Sequence, residues 1–509
     1  MSKKTLITIS AASIIILLTG LLSKSLGFLR EIVYASIFGL AEQFELFLIG
    51  MILPASINSI VLFLSQNYII PQYRYLINKE SKEAAHNFIN SSMTAFIILS
   101  LVITVLLIFN ADFFVGLFIN SNEKSFDIAV TVFDLFVLSI PLNFPIAIIF
   151  SYLQAEFHFK SPYISQIWPN VFVISTVILF GPQVGVYSIP LGYLGGYALQ
   201  LIHLLAIARK YLRIDLSLRH FIKGFKFKIF FMTLIAEIIA QSYTIIDRFF
   251  YSKVDDGGIA AISYAMIIFL LPISMISMAF SSAILPFFSE NFSKDNSEEL
   301  RENIIKGISI NNYLFIPLFF LLFLFSETFI FLFYQRGQFR PEDTILTAQI
   351  LQIYSWSLIF YAAYAIFNKL IYSMNGYKVI LIISILGLTL KAILSVWLVT
   401  ELKQNGLAFA TTASFFFLFL SSAIFIFVKL GISGTSGLWK DLIVSFINAV
   451  FSYVVVSFIG SYLPANKITG ITIITLFLIL YIANSLIIKQ TSAIVLIDNL
   501  MKFKNGNNK

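Results

Sequence analysis

The chain has 509 residues, of which 59% are hydrophobic and only 12% are charged, and its mean hydropathy is +0.90. Soluble domains carry about 25% charged residues, so this composition excludes a water-soluble, disordered or fibrous protein. The net charge of +8 matches the basic excess of cytoplasmic loops in membrane proteins and gives little support for nucleic-acid binding. The chain has no Cys, which excludes disulfides, thiolate catalysis and Cys-based metal sites. Its four His residues lack the spacing of metal ligands.

Fourteen apolar stretches are long enough to cross a bilayer, which takes about 20 residues. They lie near 5–29, 43–68, 87–110, 127–155, 162–182, 186–208, 229–251, 258–288, 307–333, 345–373, 377–399, 406–428, 441–463 and 469–488. Lys3 and Lys4 resemble the start of a signal peptide, but the small residues Ala11 and Ala12 precede most of the apolar run. We therefore expect a retained first helix.

The stretches predict an all-α integral membrane protein with about fourteen transmembrane helices, arranged as two pseudo-symmetric six-helix bundles plus two C-terminal helices. The predicted domains are an N-terminal bundle at 1–208, a basic linker at 209–228, a second bundle at 229–428, and the last two helices with a tail at 429–509. Most Lys and Arg residues fall on one side if the N-terminus is cytoplasmic, which predicts that both termini lie in the cytoplasm.

The linker at 209–228 mixes basic residues with Tyr, Leu, Ile and Phe. One interpretation places it along the inner leaflet, held by anionic lipids and by burial of its apolar side chains. The other treats it as a basic connection that only enforces the topology. The sequence leaves both open.

The second and eighth apolar stretches look alike. Each carries a Leu-Pro pair, then small and polar residues, then a second Pro preceded by Ile or Leu; the pairs are Leu53-Pro54 with Ile70-Pro71, and Leu271-Pro272 with Leu285-Pro286. The copies are six spans apart in chain order, so both have the same orientation, as in the parallel repeats of secondary transporters. Chance similarity between Pro-containing helices is the alternative.

Ten charged residues fall within apolar stretches, where each costs about 2.5–3.5 kcal/mol at a helix centre. They are Lys24, Arg30, Glu31, Glu45, Asp134, Glu237, Asp247, Arg248, Lys369 and Lys391. Such residues normally face a cavity or a partner, and a shared cavity lined by them would suit an anionic headgroup. Arg is the better phosphate ligand because its planar fork donates two parallel hydrogen bonds.

A simpler interpretation applies to the charges near helix ends. Arg30, Glu31, Asp247 and Arg248 can extend to the membrane interface, whereas Lys24 and Lys391 lie deeper. The adjacent acids Asp255-Asp256 precede two glycines and are more typical of a turn than of a catalytic pair.

The segment Ser23-Lys24-Ser25-Leu26-Gly27-Phe28-Leu29-Arg30-Glu31, followed by Phe38-Gly39 and Glu45-Leu46-Phe47, resembles the opening of the lipid II flippase family. That family belongs to a superfamily of multidrug and polysaccharide exporters. The similarity continues through Pro169-Asn170, Asp247-Arg248, Leu332-Phe333-x-x-Arg336-Gly337-x-Phe339 and Gly406-Leu407-Ala408, in the right order over roughly 20–430.

The resemblance implies a transporter, not an enzyme, in the bacterial cytoplasmic membrane. It implies translocation of an undecaprenyl-pyrophosphate-linked saccharide, lipid II of peptidoglycan, to the outer leaflet by alternating access. Basic side chains would face the pyrophosphate. Together with the charges inside the apolar stretches, it predicts the substrate-binding residues Lys24, Arg30, Glu31, Glu45, Asn58, Asp247, Arg248, Lys369 and Lys391.

The chain departs from the family pattern at four cavity positions, three of them among these residues. Lys24 replaces an Arg, Glu45 replaces an Asp, and Asn58 and Ile267 stand where the family carries further arginines. The less basic cavity leaves open a flippase for an O-antigen, capsule or other lipid-linked repeat unit.

Two other classes are weaker. A small-molecule exporter would have an acidic or aromatic cavity, and an intramembrane glycosyltransferase would need a sizeable loop with paired acids. No Gly-rich nucleotide-binding loop is present, so membrane potential, an ion gradient or removal of the cargo must supply the drive. We expect no cofactor and leave the coupling ion unassigned. The expected partners are the lipid-linked saccharide, membrane lipids and proteins of cell-envelope synthesis.

Overall fold

The computed structural model describes residues 3–120, 125–209, 217–293, 297–374, 376–431, 436–464 and 466–496. Every regular element in these ranges is a helix, which confirms the predicted all-α fold. The helices form two compact units. Unit 1 comprises Met1–Ala260 with Arg336–Phe339, and unit 2 comprises Ala261–Gln335 with Arg340–Lys509. The division into bundles with a linker at 209–228 stays a prediction.

Unit 1 contains twelve complete helices within the described ranges. They are α1 (Lys3–Phe38), α2 (Glu42–Leu64), α3 (Ile70–Lys79), α4 (Lys82–Ile108), α5 (Ala111–Gly116), α6 (Phe126–Val137), α7 (Ile140–Ala155), α8 (Lys160–Ser165), α9 (Ile167–Val184), α10 (Ser188–Ala208), α11 (Arg219–Gly224) and α12 (Phe227–Arg248). Its apolar core includes Phe88, Phe133 and Tyr152 from α4, α6 and α7.

The two repeat copies are both long helices that continue through their prolines. In the first, one π-helical turn at Ser65–Ile69 joins α2 to α3. Pro71 has no N–H, so the regular bond to the carbonyl four residues earlier is lost, and the wider turn keeps the chain helical. In the second, α13 (Gly258–Ser293) contains Pro272 and Pro286. The symmetry itself stays a prediction.

Glycine allows α9 and α10 to pack closely. Gly185 has a φ of +59° and reverses the chain between them. On α10, a Cβ added to Gly196 would lie 2.5 Å from the Cα of Pro169, and one on Gly192 would lie 2.7 Å from the Cα of Val173. This small-residue stripe follows the spacing that brings membrane helices into close contact.

In unit 2, α13 is followed by seven helices among the described residues. They are α14 (Ser297–Leu324), α15 (Ser326–Phe333), α16 (Pro341–Ser355), α17 (Leu358–Ser373), α18 (Tyr377–Leu430), α19 (Ser436–Gly460) and α20 (Lys467–Ile487). The last two pack together, with the buried Asn448 amide donating to the Tyr481 carbonyl at 2.9 Å and to Ser485 Oγ at 2.8 Å.

The helix lengths are consistent with the predicted fourteen spans. Ten described runs are long and apolar enough to cross a membrane, or eleven if the bent pair α16 and α17 forms one span. Two runs, Lys160–Ala208 and Tyr377–Leu430, have 49 and 54 residues, which would be roughly 75–80 Å if straight, far beyond a hydrocarbon thickness of about 30 Å. Each contains a reversal, at Gly185 and at Lys403, where φ is 50° and ψ is −129°. Two spans in each of these runs, together with the 36-residue α1, would give the predicted number, and the count of fourteen stays a prediction.

The described part of the basic linker is docked on unit 1. The backbone N–H of Phe221 donates to Ser91 Oγ at 2.8 Å, and that of Lys226 donates to the Tyr68 hydroxyl at 2.7 Å. On the other side, Ile222 and Phe227 are 68% and 67% exposed. Residues 210–216 of the predicted linker lie outside the described residues. Contact with the inner leaflet stays a prediction.

Candidate functional site

Arg30, in the last third of α1, is held by an acid on its own helix and by an amide on α9. Its Nη2 lies 2.6 Å and its Nε 3.2 Å from Glu31 Oε1, and its Nη1 donates to Asn170 Oδ1 at 3.1 Å. Successive residues on a helix do not normally face each other, so these two side chains turn together to form the pair. The structure thus joins two of the predicted site residues.

Two tyrosines flank the same guanidinium. The Cζ of Arg30 lies 5.7 Å from the ring centroid of Tyr34 and 5.5 Å from that of Tyr193 on α10. Both distances are within the range of cation–π attraction. Tyr193 is in turn braced by Tyr197, with ring centroids 5.5 Å apart. Three helices therefore fix the position of one cation.

The Arg30 site remains open to a further anion. The side chains of Arg30 and Glu31 are 21% and 13% exposed. A guanidinium has five N–H groups, and the three contacts with Glu31 and Asn170 use three of them. The remaining donors, and those released if Glu31 moves away, can bind a phosphate oxygen.

Glu45 has a different role, because its carboxylate caps the start of α13. Oε2 accepts from the backbone N–H of Gly257 at 2.9 Å, and Oε1 accepts from Ile259 at 2.7 Å and from Ala260 at 3.1 Å. The first N–H groups of a helix have no partner within it, and a carboxylate also complements the helix dipole. Arg248 donates from Nη1 to the Ile259 carbonyl at 3.4 Å. The structure therefore groups Glu45 with Arg248, both buried.

The other predicted residues occupy separate places. Lys24 is exposed on α1, six residues before Arg30, or about 9 Å along the helix. Asn58 donates from Nδ2 to Ser139 Oγ at 2.8 Å, whereas its buried Oδ1 has no hydrogen-bond partner among the described residues. Asp247 is buried at the end of α12.

The two predicted lysines of unit 2 differ in burial. Lys391 is 1% exposed on α18, and Lys369 is partly buried on α17. A single cavity shared by all nine predicted residues stays a prediction.

Sequence reasoning did not assign Tyr34, Tyr193 or Asn170 to the site. Tyr34 follows Arg30 by four residues, a spacing that places both on one face of a helix. Asn170 belongs to a motif that matched the family, without any indication of its partner. Nothing in the local sequence marks Tyr193, because its proximity to Arg30 depends on the close packing of α9 and α10.

The motif near 336–339 supports the end of α1. The Gln338 N–H donates to the Ser36 carbonyl at 2.8 Å. Gly39 and Gly337 have φ values of +55° and +58°, and a Cβ on Gly39 would lie 2.6 Å from the Gln338 carbonyl oxygen. The two glycine motifs, far apart in sequence, are thus packed against each other, six or more residues beyond Arg30.

The many apolar helices define a multi-pass membrane protein with charged groups inside its spans. Two solved structures share this fold. It matches a structure described as "Lipid II flippase MurJ, inward closed conformation" with a TM-score of 0.81 and 21% identity, over 93% of this chain and 98% of that one. An inward-facing multidrug MATE transporter of the MOP superfamily matches with a TM-score of 0.67 and 15% identity, over 82% of this chain and 96% of that one.

The profile of the family "Lipid II flippase MurJ" matches residues 34–481, and the chain belongs to this family. A relative from Borreliella burgdorferi, named a probable lipid II flippase MurJ, is 26% identical over 420 residues, 79% of this chain and 80% of that protein. A relative of the same name from Aquifex aeolicus is 29% identical over 375 residues, 72% of this chain and 73% of that protein. The family resemblance predicted from the sequence is confirmed.

Proposed function

We propose that this protein is a flippase that carries lipid II, an undecaprenyl-pyrophosphate-linked saccharide, from the cytoplasmic to the outer leaflet of the bacterial inner membrane. The observation that carries the proposal is the Arg30 site, in which a fixed guanidinium remains accessible to an anion. Family membership supports the same conclusion. The excess of basic residues in the predicted inner loops supports cytoplasmic termini.

In this proposal, Glu31 is exchanged for the diphosphate of the lipid. An isolated cation is costly to bury, so Glu31 neutralises Arg30 when no substrate is bound. The diphosphate offers several acceptor oxygens to the same fork and displaces the carboxylate. Return of Glu31 then favours release at the opposite face. The headgroup thereby exchanges hydration for protein hydrogen bonds, because a bare diphosphate in hydrocarbon would be prohibitively unfavourable.

The aromatic rings serve two purposes in this scheme. Tyr34 and Tyr193 attract the guanidinium electrostatically and limit its rotation. A prepositioned Arg loses less conformational entropy when it binds phosphate, which favours tight but reversible binding. The saccharide and the prenyl tail would lie on either side of the diphosphate, the tail remaining in the bilayer.

A second candidate is a flippase for a different lipid-linked glycan. The observation that favours it is Asn58, an uncharged amide bound to Ser139 at a position where the family resemblance implies an arginine. All such substrates share the prenyl diphosphate, so the Arg30 site serves either one. Proteins of cell-envelope synthesis stay expected partners, and no cofactor or coupling ion is assigned.

Reconstituted vesicles separate these substrates. Purified protein is placed in vesicles with lipid II, with a prenyl-diphosphate-linked O-antigen unit, or with a prenyl diphosphate lacking sugar, and headgroup exposure at the opposite face is measured. Transfer of lipid II at least several times faster than the O-antigen lipid supports the proposal. Preference for the O-antigen lipid would assign the second function, and absence of transfer of every donor would reject both.

A further inference from the structure

An apolar groove lies on unit 2 between the first and last turns of α18. Its volume is about 420 Å³, and it is lined by Val379, Ile383, Ser421, Ile424, Phe425, Val428 and Lys429. That volume is within the range of small-molecule sites. Except for Ser421 and Lys429, the lining is hydrocarbon or aromatic.

The mouth of the groove carries the marks of a membrane–water interface. Lys429 lines the groove and is exposed, and Lys378, which precedes the lining residue Val379, is exposed as well. Tyr372 and Tyr377 are also partly exposed, with ring centroids 5.5 Å apart. Tyr rings and Lys side chains are the residues that mark the headgroup level of a bilayer. The exposed lysines and tyrosines at this end therefore indicate contact with lipid headgroups.

The depth of the groove fits one leaflet. Lys429 and Ser421 are eight residues apart, which is about 12 Å along a helix. The hydrocarbon core of a bilayer is about 30 Å thick, so the groove runs from the interface into a single leaflet. The Lys429 ammonium lies near one of the groove's aromatic rings, with Nζ 5.5 Å from the Phe425 ring centroid.

A third cation lies at the same end of the unit. The Arg301 guanidinium is 3.2 Å from the place that a Cβ would take on Gly431, two residues after Lys429. Within the part of the chain that the structure describes, no Asp or Glu lines the groove. This charge complements a headgroup with net negative charge better than a zwitterionic one, because the latter brings its own cation.

We propose that this groove binds an acidic phospholipid of the leaflet that faces Lys378 and Lys429. One acyl chain lies along Ile383, Ile424 and Val428, and the headgroup phosphate contacts Lys429 and Lys378. The lipid is a resident of unit 2 and not the transported cargo, so this site is independent of the proposed function.

Native mass spectrometry of the full-length protein tests the site. The detergent-solubilised protein is incubated with phosphatidylglycerol or with phosphatidylcholine of the same acyl chains, and bound lipid is counted. A charge near an anionic headgroup contributes enough for about a fivefold change in affinity. We expect the protein to bind phosphatidylglycerol in preference to phosphatidylcholine. Its affinity for phosphatidylglycerol should fall about fivefold in Lys429→Ala and roughly 30-fold in the double variant Lys378→Ala with Lys429→Ala. Lys429→Arg should keep the affinity of the unaltered protein.

Two further variants locate the binding. Ser421→Phe fills the groove and should reduce retention of both lipids, whereas Lys440→Ala, an exposed cation on α19 outside the lining, should change nothing. Equal retention of the two lipids by the unaltered protein would overturn the proposal. So would an equal loss with Lys440→Ala, or displacement of phosphatidylglycerol by undecaprenyl phosphate, which would make the groove a site for the cargo tail.

Discussion

Glu45 and Arg248 hold opposite sides of the same residue. The Glu45 carboxylate accepts from the Ile259 N–H at 2.7 Å, and the Arg248 guanidinium donates to the Ile259 carbonyl at 3.4 Å. Both side chains are buried, at 2% and 4% exposure. Two charges on α2 and α12 thereby fix the start of α13.

Glu45→Ala should destabilise the protein. It leaves three backbone N–H groups without their acceptor, and each buried unsatisfied donor costs about 1–3 kcal/mol. We expect a lower thermal midpoint in detergent and faster hydrogen exchange at 257–260. The thermal midpoint of Glu45→Gln, which keeps one acceptor oxygen, should fall between those of Glu45→Ala and the unaltered protein.

The exposed Glu302 provides the control, because it pairs with Lys306 on its own helix. Glu302→Gln should shift the midpoint by a small amount. If Glu45→Gln instead abolished lipid transfer with an unchanged midpoint, Glu45 would belong to the transport mechanism and not to the cap of α13.

Much of this arrangement follows from the sequence, and some of it does not. The apolar stretches predicted the helices because their length and lack of charge are local properties. The pairing of Arg30 with Glu31 is also local. The cap of α13 by Glu45 joins residues more than 200 positions apart, and only the folded chain brings them together. The contact of Tyr193 with Arg30 could not be predicted either, because it also joins residues that are distant in sequence and depends on helix packing.

Glu31→Gln should strengthen diphosphate binding and slow transfer. The amide no longer competes with the substrate for Arg30 by charge, so the free cation favours the bound state. We expect a lower Kd for undecaprenyl diphosphate in a titration with purified protein, together with a reduced transfer rate. A rate and a Kd both equal to those of the unaltered protein would remove Glu31 from the exchange.

Asn58→Arg should shift selectivity toward lipid II. The change restores the arginine that the family resemblance implies at this position, at the expense of the hydrogen bond to Ser139. The measurement is a competition between lipid II and an O-antigen lipid in the vesicle assay. Asn58→Gln, which keeps the amide, is the matched variant and should retain the original ratio. An unchanged ratio in Asn58→Arg would show that this position does not discriminate.

Gly337→Ala should weaken the contact between the 336–339 motif and the end of α1. Its φ of +58° is unfavourable for Ala, and the added Cβ would collide with the Ser36 carbonyl. The left-handed conformation alone costs about 1–2 kcal/mol, so the thermal midpoint should fall. Gly307→Ala is the control, since no described atom lies within 4 Å of its Cβ position on α14, and it should be neutral or stabilising by up to about 1 kcal/mol. A larger loss at Gly307 than at Gly337 would contradict this account.

The transfer rate of Arg30→Ala, compared with Arg30→Lys in vesicles containing lipid II, tests the central claim most directly. Lysine keeps the charge but not the two-pronged geometry, so we expect transfer at a reduced rate in Arg30→Lys and none above background in Arg30→Ala. Thermal unfolding curves should show that both variants are folded. Lys306→Ala, which removes an exposed surface cation, should retain the full rate. Full transfer by Arg30→Ala would show that the diphosphate is bound elsewhere.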